Sequence, residues 1–272
     1  MPIRMIASDL DDSLLNGQSL LTQRTLKALE RAMAAGAKVV LASGRMVETM
    51  RGYAHQARVN APIIAYNGAL IYDLAAEKPV YERLVAPEDA RAAIELAREK
   101  GVYIQAFVDG EYIFEEKNAW NERYEQLVGY PGRALHAPIE GALGRGAYKL
   151  LLIDAPERIA QVRPEFQRVF AGRLECATSR PFYLEITAAG VDKRGALRAL
   201  SDLLAIPPEE IAAFGDGQND VAMLKFAGRG YALANARPEV LAQAPYAAPA
   251  NDEDGVAQIV EAMLDAGEIE GR

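Results

Sequence analysis

Two groups of carboxylates each follow an apolar stretch of the sequence. They are Asp9, Asp11 and Asp12 after residues 3–8, and Asp216 and Asp220 after residues 210–215. If both stretches are parallel strands of one sheet, their carboxyl ends meet at the edge where open α/β sheets bind ligands. Carboxylates gathered there repel one another and need a cation, and oxygen donors without histidine or cysteine suit Mg²⁺. The spacing therefore predicts a magnesium site, the alternative being two unrelated acidic turns.

A hydroxyl group and a lysine stand at further predicted junctions between strands and helices. In LASGR (41–45), Ser43 and Gly44 end a strand and precede a helix, where a hydroxyl and backbone N–H groups bind anions. Lys193 opens a predicted helix in the segment GVDKRGAL. Taken singly, such a serine is usually a helix cap and such a lysine is usually solvated. Together with the carboxylates, these groups predict a site for a phosphate group.

Strands and helices alternate near both ends of the chain. We predict strands over 3–8, 37–43, 61–73 (with a turn at Asn67-Gly68), 210–216 and 229–235, and helices over 22–36, 45–57, 191–206, 219–228, 237–244 and 252–267. Continuous apolar strands that alternate with helices indicate a parallel sheet covered on both faces. The predicted fold is therefore α/β, with a Rossmann-like, doubly wound parallel sheet formed by residues 1–83 and 188–272.

The segment between these two parts has a different pattern. We predict helices over 86–101 and 156–172 (the latter despite Pro164), a hairpin over 102–116 with its turn at Asp109-Gly110, and strands over 147–154, 173–179 and 182–188. Helices combined with hairpins indicate an antiparallel sheet in an α+β layer. Residues 84–187 are therefore predicted to form an inserted α+β domain.

The composition argues against several classes of function. The 272 residues carry a formal net charge of -8, which disfavours nucleic acid as a partner. Cys176 is the single cysteine, so neither an intrachain disulfide nor a cysteine-based zinc site is available, and His55 and His136 are far apart in the sequence. No apolar run approaches the roughly 18 residues of a membrane span. We expect a cytoplasmic monomer or homodimer without a membrane partner.

Four segments resemble the motifs of a known superfamily. They are DLDDSLL (9–15), ASGR (42–45), VDKRGAL (191–197) and GDGQNDVAML (215–224), in this order. They look like the four motifs of the haloacid dehalogenase superfamily, of the Cof-type phosphatases with a type II (IIB) cap, and YNGA (66–69) matches a further stretch of that group. The resemblance covers the whole chain. It implies a magnesium-dependent phosphatase with a haloacid dehalogenase-like core and an inserted cap domain.

The resemblance also implies roles for the carboxylates. Asp9 would be the nucleophile that forms an aspartyl-phosphate, and Asp11 would protonate the leaving group and then deprotonate the attacking water. Mg²⁺ would be held by Asp9, Asp216 and the backbone carbonyl of Asp11. Asp220 would orient Lys193 or join the metal shell directly or through water. Lys193 and Ser43 would stabilise the transferring phosphoryl group.

Other residues are expected to contact the substrate. From the core these are Ser43, Gly44, Arg45, Asn67, Gly68, Lys193 and Asn219, and from the cap they are Trp120, Tyr124 and Arg180. Two positions depart from the usual motif, since Asp12 stands where glycine is commonest and Ser13 where threonine is. We interpret Asp12 as a turn residue and not as a metal ligand.

The physiological substrate stays open at this point. The resemblance implies a small phosphorylated metabolite, such as a sugar phosphate or a compound like FMN or pyridoxal phosphate. One alternative is a phosphomutase on the same scaffold, which would return the phosphoryl group to the substrate. A second is a non-catalytic sugar-phosphate sensor, which would bind its ligand with Mg²⁺ but would not turn it over.

Overall fold

The computed structural model describes residues 1–178 and 180–269. The chain forms two compact units, each with its own sheet and apolar core. The first unit contains Met1–Tyr81 and the chain from Asp192 onward, and the second contains Glu82–Val191. Within the described ranges, no helix combines the length and the apolar character that crossing a membrane requires.

The secondary structure follows the predicted alternation. The strands are β1 (Met5–Ser8), β2 (Lys38–Leu41), β3 (Ile63–Ala65), β4 (Leu70–Asp73), β5 (Lys78–Glu82), β6 (Tyr103–Val108), β7 (Glu111–Phe114), β8 (Arg133–Ala134), β9 (Lys149–Ile153), β10 (Leu174–Ala177), β11 (Tyr183–Ala188), β12 (Ile211–Gly215), β13 (Arg229–Leu233) and β14 (Tyr246–Ala248). The helices are α1 (Gln23–Ala34), α2 (Val47–Gln56), α3 (Pro87–Glu99), α4 (Ala119–Val128), α5 (Pro156–Val169), α6 (Lys193–Leu204), α7 (Val221–Phe226), α8 (Pro238–Leu241) and α9 (Gly255–Asp265).

The first unit is built on a parallel sheet with the strand order β14-β13-β12-β1-β2. Strand β1 lies between β12 and β2 and is fully buried, which explains its unbroken apolar sequence. Ser8, the last residue of β1, is in register with Phe214 of β12 and Leu41 of β2. The residues that follow these three strands therefore emerge at the same edge of the sheet. The predicted parallel α/β core is confirmed.

Polar side chains fix the start of two helices in this unit. The carboxylate of Asp192 accepts a hydrogen bond from the backbone N–H of Gly195 at 2.6 Å, which caps α6. Thr22 caps α1 in the same way, because its hydroxyl accepts from the N–H of Thr25 at 3.1 Å. Such caps satisfy backbone donors that have no partner inside the helix. The cap at Asp192 sets the position at which α6 presents Lys193.

The second unit contains a sheet with the strand order β10-β11-β9-β6-β7-β8. Its neighbouring strands are antiparallel except for β7 and β8. The predicted hairpin is present, and Asp109 and Gly110 both have positive φ, at 44° and 84°, as a type I′ turn requires. An apolar cluster joins α3 and α5 to the sheet, with Ile94 and Phe166 among its members.

Several elements of the structure were not predicted. They are the strands β5, β8 and β14, and the helix α4, which lies in a stretch that showed no regular pattern. The buried residues of α4 are Asn121 and Tyr124, so this helix lacks an apolar stripe. Its signal in the sequence is the capping box that Asn118 and Asn121 form at its start.

Candidate active site

Asp9 directly follows β1, the strand that lies between β12 and β2. Its backbone N–H donates to the carbonyl oxygen of Phe214 at 2.9 Å, which extends the pairing of β1 with β12 by one residue. The residue is 7% exposed. The carboxylate oxygen Oδ1 accepts a hydrogen bond from Nζ of Lys193 at 2.6 Å. The strand thus presents a buried, charge-paired carboxylate at the ligand-binding edge of the sheet.

Lys193 joins Asp9 to Asp220. It is the first residue of α6, it is buried, and its Nζ donates to Oδ1 of both aspartates at 2.6 Å. Burial on its own would lower the pKa of Lys193, but Asp220 and Asp9 more than offset this effect and hold the pKa above its ordinary value. The lysine is therefore a fixed positive charge.

Asp220 also holds the loop that precedes it. Its Oδ2 accepts hydrogen bonds from the backbone N–H groups of Asp216 at 3.1 Å and Gly217 at 2.9 Å. Gly215 allows this close approach, because a Cβ at that position would lie 2.5 Å from the Cβ of Asp220. The segment GDGQND thus folds around the carboxylate of its last residue, which also orients Lys193.

Asp216 receives a hydrogen bond that the sequence analysis did not predict. Oγ of the buried Ser13 donates to Oδ1 of Asp216 at 2.7 Å. The signal was available, because a hydroxyl-bearing residue is usual at this position of the motif. Asp12 is exposed and has a φ of 56°, which agrees with its interpretation as a turn residue. Burial raises the pKa of Asp216 to about 6.

Three of these carboxylates have the arrangement of a cation site. Asp9, Asp216 and Asp220 each offer an oxygen atom, and these atoms lie within 4.8 Å of one another. When ionised they carry three negative charges against the single positive charge of Lys193, a net charge of -2. Burial raises the pKa of Asp9 well above its ordinary value, and although Lys193 opposes this shift, Asp220 and Asp216 add to it. A divalent cation fits both this excess of charge and the all-oxygen donor set.

Asp11 makes a contact that was not expected. Its carboxylate forms a bidentate ion pair with Arg45, whose Nε and Nη2 donate to Oδ2 and Oδ1 at 2.8 and 2.6 Å. The Asp11 side chain is 41% exposed, and its carboxylate lies outside the group of three that could hold a cation. The predicted proton donor and a predicted substrate contact are thus paired with each other in this structure.

The loop after β2 meets the turn between β3 and β4. Asn67 donates from its backbone N–H to the carbonyl oxygen of Ser43 at 3.0 Å, and the buried Ser43 accepts at its Oγ from the N–H of Arg45 at 3.2 Å. The side chain of Asn219 donates to Oδ1 of Asn67 at 3.0 Å. A Cβ on Gly44 would lie 3.0 Å from the Asn67 amide. These contacts bring three of the predicted motifs together.

The same turn also touches the start of α6. Gly68 has a φ of 105°, and a Cβ there would lie 2.3 Å from the carbonyl oxygen of Asp192. Only glycine fits this position. The structure therefore gathers every core residue that was predicted for the site, namely Asp9, Asp11, Ser43, Gly44, Arg45, Asn67, Gly68, Lys193, Asp216, Asn219 and Asp220.

The residues predicted from the second unit have different environments. Tyr124 is buried in an aromatic cluster, with ring centroids 5.1 Å from Tyr112 and 6.1 Å from Phe107. Its ring therefore packs among the aromatic side chains of the second unit. Trp120 is partly buried and Arg180 is exposed.

The fold and the site together define an α/β protein with a cluster of carboxylates and a paired lysine at the ligand-binding edge of a parallel sheet. A family model described as haloacid dehalogenase-like hydrolase matches residues 6–260. Because this match spans most of the chain, the protein belongs to that family. The resemblance stated from the sequence motifs is thus confirmed.

Relatives and solved structures agree with this assignment. A haloacid dehalogenase-like hydrolase from Bacteroides thetaiotaomicron has a TM-score of 0.89 and 29% identity, covering 96% of this chain and 99% of its own. YxeH of Bacillus subtilis (strain 168), whose name places it among the phosphatases, is 29% identical over 96% of this chain and 98% of its own. From the same organism, the 5-amino-6-(5-phospho-D-ribitylamino)uracil phosphatase YcsE is 27% identical over 95% of this chain and 94% of its own. This chain is an enzyme of the phosphatase type.

Proposed function

We propose that this enzyme is a magnesium-dependent phosphatase that hydrolyses small phosphorylated metabolites through an aspartyl-phosphate on Asp9. The observation that carries the proposal is the position of Asp9. It is buried at the end of β1, paired with Lys193, and close to the acidic residues Asp216 and Asp220. A nucleophilic carboxylate needs such a fixed position opposite a phosphate.

The first chemical step follows from how Lys193 holds Asp9. Lys193 engages Oδ1 of Asp9, which leaves Oδ2 as the oxygen that attacks the phosphorus. A bond forms between Oδ2 and phosphorus while the bond to the leaving alkoxide breaks, and Asp11 gives its proton to that alkoxide. When bound, Mg²⁺ supplies positive charge that reduces the repulsion between the carboxylate and the phosphate. Ser43 and Lys193 bind the phosphoryl oxygens.

The second step regenerates the enzyme. Water attacks the phosphorus of the aspartyl-phosphate, Asp11 accepts the proton of that water, and inorganic phosphate leaves. In both steps Asp11 must face the reacting oxygen atoms. It therefore has to exchange its contact with Arg45 for a contact with the leaving group or water, so we assign to Arg45 the positioning of Asp11 between turnovers.

The proposed magnesium shell would use three carboxylates that lie within 4.8 Å of one another, with the backbone carbonyl of Asp11 as a further expected ligand. Asp9 and Asp216 would provide carboxylate oxygens, and Asp11 would contribute its backbone carbonyl, while Asp220 completes the acidic group. The oxygen-only donor set supports Mg²⁺ over metals that prefer histidine or cysteine. Ser13 would orient Asp216 through the hydrogen bond to its Oδ1.

The proposed substrate rests on the residues predicted to contact it and on the name of one relative. We propose a sugar phosphate or a phosphorylated compound like FMN or pyridoxal phosphate, bound through Ser43, Gly44, Arg45, Asn67, Gly68, Lys193 and Asn219. The name of YcsE, a relative that acts on a phosphorylated ribitylaminouracil, supports a substrate in which a phosphate ester is joined to a sugar-like chain and a ring. The second unit is proposed to be the cap domain, with residues 84–187 as its limits. We further propose a monomer or homodimer that works in the cytoplasm.

A phosphate-release screen tests this function. Purified protein is incubated with a panel of phosphorylated metabolites and Mg²⁺, and Asp9→Asn is the control. We expect stoichiometric release of inorganic phosphate by the wild type alone. Turnover of a phosphate ester without phosphate release would instead favour the phosphomutase, and ligand binding without turnover across the panel would favour the sensor. Phosphate release by Asp9→Asn at the wild-type rate would refute the assignment of the nucleophile.

A further inference from the structure

A basic groove lies between α6 and α7, and none of the site residues described above lines it. The cavity has a volume of about 500 Å³. Its lining includes Arg194, Arg198, Gln218, Val221, Lys225 and Phe226. All of these residues belong to the first unit. The groove lies on α6 and α7 and on the segment that leads into α7.

The charge of this groove is opposite to that of the chain as a whole. Three cationic side chains and no carboxylate line it, whereas the formal net charge of the protein is -8. The Arg198 guanidinium lies 5.6 Å from the centroid of the Phe226 ring, and Lys225 donates to the amide oxygen of Gln243 at 3.0 Å. Among the residues that the structure describes, neither Arg198 nor Lys225 has a carboxylate within salt-bridge distance. Arg194 has a weak one, with Nε 3.9 Å from Asp192.

We propose that this groove is a second ligand site, which binds a small phosphorylated metabolite of nucleotide size. Guanidinium groups bind phosphate oxygens in a bidentate manner, and three cations suit a ligand with more than one negative charge. The volume falls in the range of small-molecule pockets. Val221 and Phe226 add apolar surface for a ring beside the charged groups. The site goes beyond the proposed phosphatase function and does not depend on it.

A ligand in the groove would link α6 to α7, because the groove lies on both helices. Lys193 is the first residue of α6, Asp220 directly precedes α7, and the two are joined at 2.6 Å. Arg198 lies on α6, whereas Lys225 lies on α7, so one ligand that contacts both residues links the two helices. Such a ligand binds the folded protein only and stabilises it by mass action.

Calorimetric titration of the full chain with ADP and with pyrophosphate tests the proposal. EDTA is present, so that the acidic active site without its cation repels both probes. We expect saturable binding of both, with ADP bound more tightly because its ring uses the apolar part of the groove. Absence of saturable binding of either probe would overturn the proposal. Equal affinity for the two would overturn the role of Val221 and Phe226.

Charge-neutralising variants locate the binding. Arg198→Gln and Lys225→Gln are each expected to weaken ADP binding by about ten-fold, as the loss of one hydrogen bond from a charged group predicts. The matched control is Arg31→Gln, which removes the same charge from an exposed ion pair with Asp265. It should bind ADP like the wild type. Arg198→Gln also removes the contact of Arg198 with the Phe226 ring, which could by itself weaken ADP binding. Lys225→Gln leaves that contact in place and therefore tests the charge separately. Unchanged affinity in both, or an equal loss in the control, would refute the site.

Discussion

Each unit buries a lysine side chain, and the two lysines have different surroundings. In the first unit, Lys193 is 0% exposed and lies between Asp9 and Asp220, at 2.6 Å from each. In the second unit, Lys149 is 4% exposed, pairs with Glu185 at 3.3 Å and lies over an aromatic ring. The first group also contains a further carboxylate, so negative charge is in excess. The net charge of -2 on this group, and not burial alone, distinguishes a site for a cation from an ion pair that packs a sheet.

The largest effect is expected at Asp9. Asp9→Asn should lower kcat by about 10⁴-fold or more, because the amide cannot attack phosphorus. Glu185→Gln, the matched change beside the other buried lysine, should keep kcat within about ten-fold of the wild type. Steady-state phosphate release measures both, and circular dichroism checks that each variant is folded. Similar losses of kcat in the two variants would contradict the assignment of a catalytic role to the buried lysine group of the first unit alone.

The two lysines themselves come next. Lys193→Met should lower kcat/KM by about 10³-fold, since a positive charge at the phosphoryl group is lost. Lys149→Met should leave kcat near the wild-type value but lower the free energy of unfolding by about 3 kcal/mol, because the largely buried ion pair with Glu185 and the contact of the ammonium with the Phe107 ring are both lost. Kinetics and urea denaturation separate these outcomes. A larger kinetic effect at Lys149 than at Lys193 would mean that the catalytic site has been assigned to the wrong unit.

Metal binding should depend on pH in the first unit. Mg²⁺ at about one hundred times its Kd should stabilise the protein by about 2.7 kcal/mol at pH 7.5. Asp216 has its pKa raised to about 6 from an ordinary 3.8. Without metal, its contribution to stability is fully present below pH 3.8 and is lost as the pH rises through about 6. Protons compete with the cation below that value, so the increase in Tm on adding Mg²⁺ should be smaller at pH 5 than at pH 7.5.

A matched variant checks the source of this dependence. Asp216→Asn removes the titrating carboxylate, and its Tm should respond weakly to Mg²⁺ at either pH. An increase in Tm that is the same at both pH values in the wild type would show that Asp216 is not a ligand. Thermal denaturation followed by circular dichroism provides these measurements.

The smallest effect is expected at Arg45. Arg45→Lys keeps the positive charge but loses the two-pronged contact with Asp11, and kcat/KM should fall by about ten-fold. The kcat/KM of Arg45→Ala should fall further, and added guanidinium should restore part of the activity of this variant. The pH profile of kcat should also change in the variants if Arg45 positions the proton donor. A profile that keeps its shape, with an effect on KM alone, would leave Arg45 as a substrate contact only.

The core of the site could be predicted because the positions of the strands follow from simple patterns. Asp9 and Asp216 each follow a short apolar run, and a parallel sheet brings the ends of such runs together. Ser8 and Phe214 are indeed in register. The motif spacing then identified Lys193 on the helix that starts beside them.

The remaining contacts depend on side-chain directions that no pattern encodes. The pair formed by Asp11 and Arg45 joins two loops, and either residue could have faced solvent or substrate instead. Helix α4 was missed because Asn121 and Tyr124, its buried residues, do not form an apolar stripe. Tyr124 is predicted as a substrate contact from its residue type alone, and the structure places its ring against Tyr112.

The position of Trp120 on α4 gives the protein an internal optical reporter. It is the single tryptophan of the chain, and it belongs to the second unit. Fluorescence excited selectively at this indole therefore reports the unfolding of that unit, while circular dichroism averages over both. If the two signals change together during denaturation, the units unfold cooperatively. If they separate, the order of their transitions shows directly which half of the chain is the less stable.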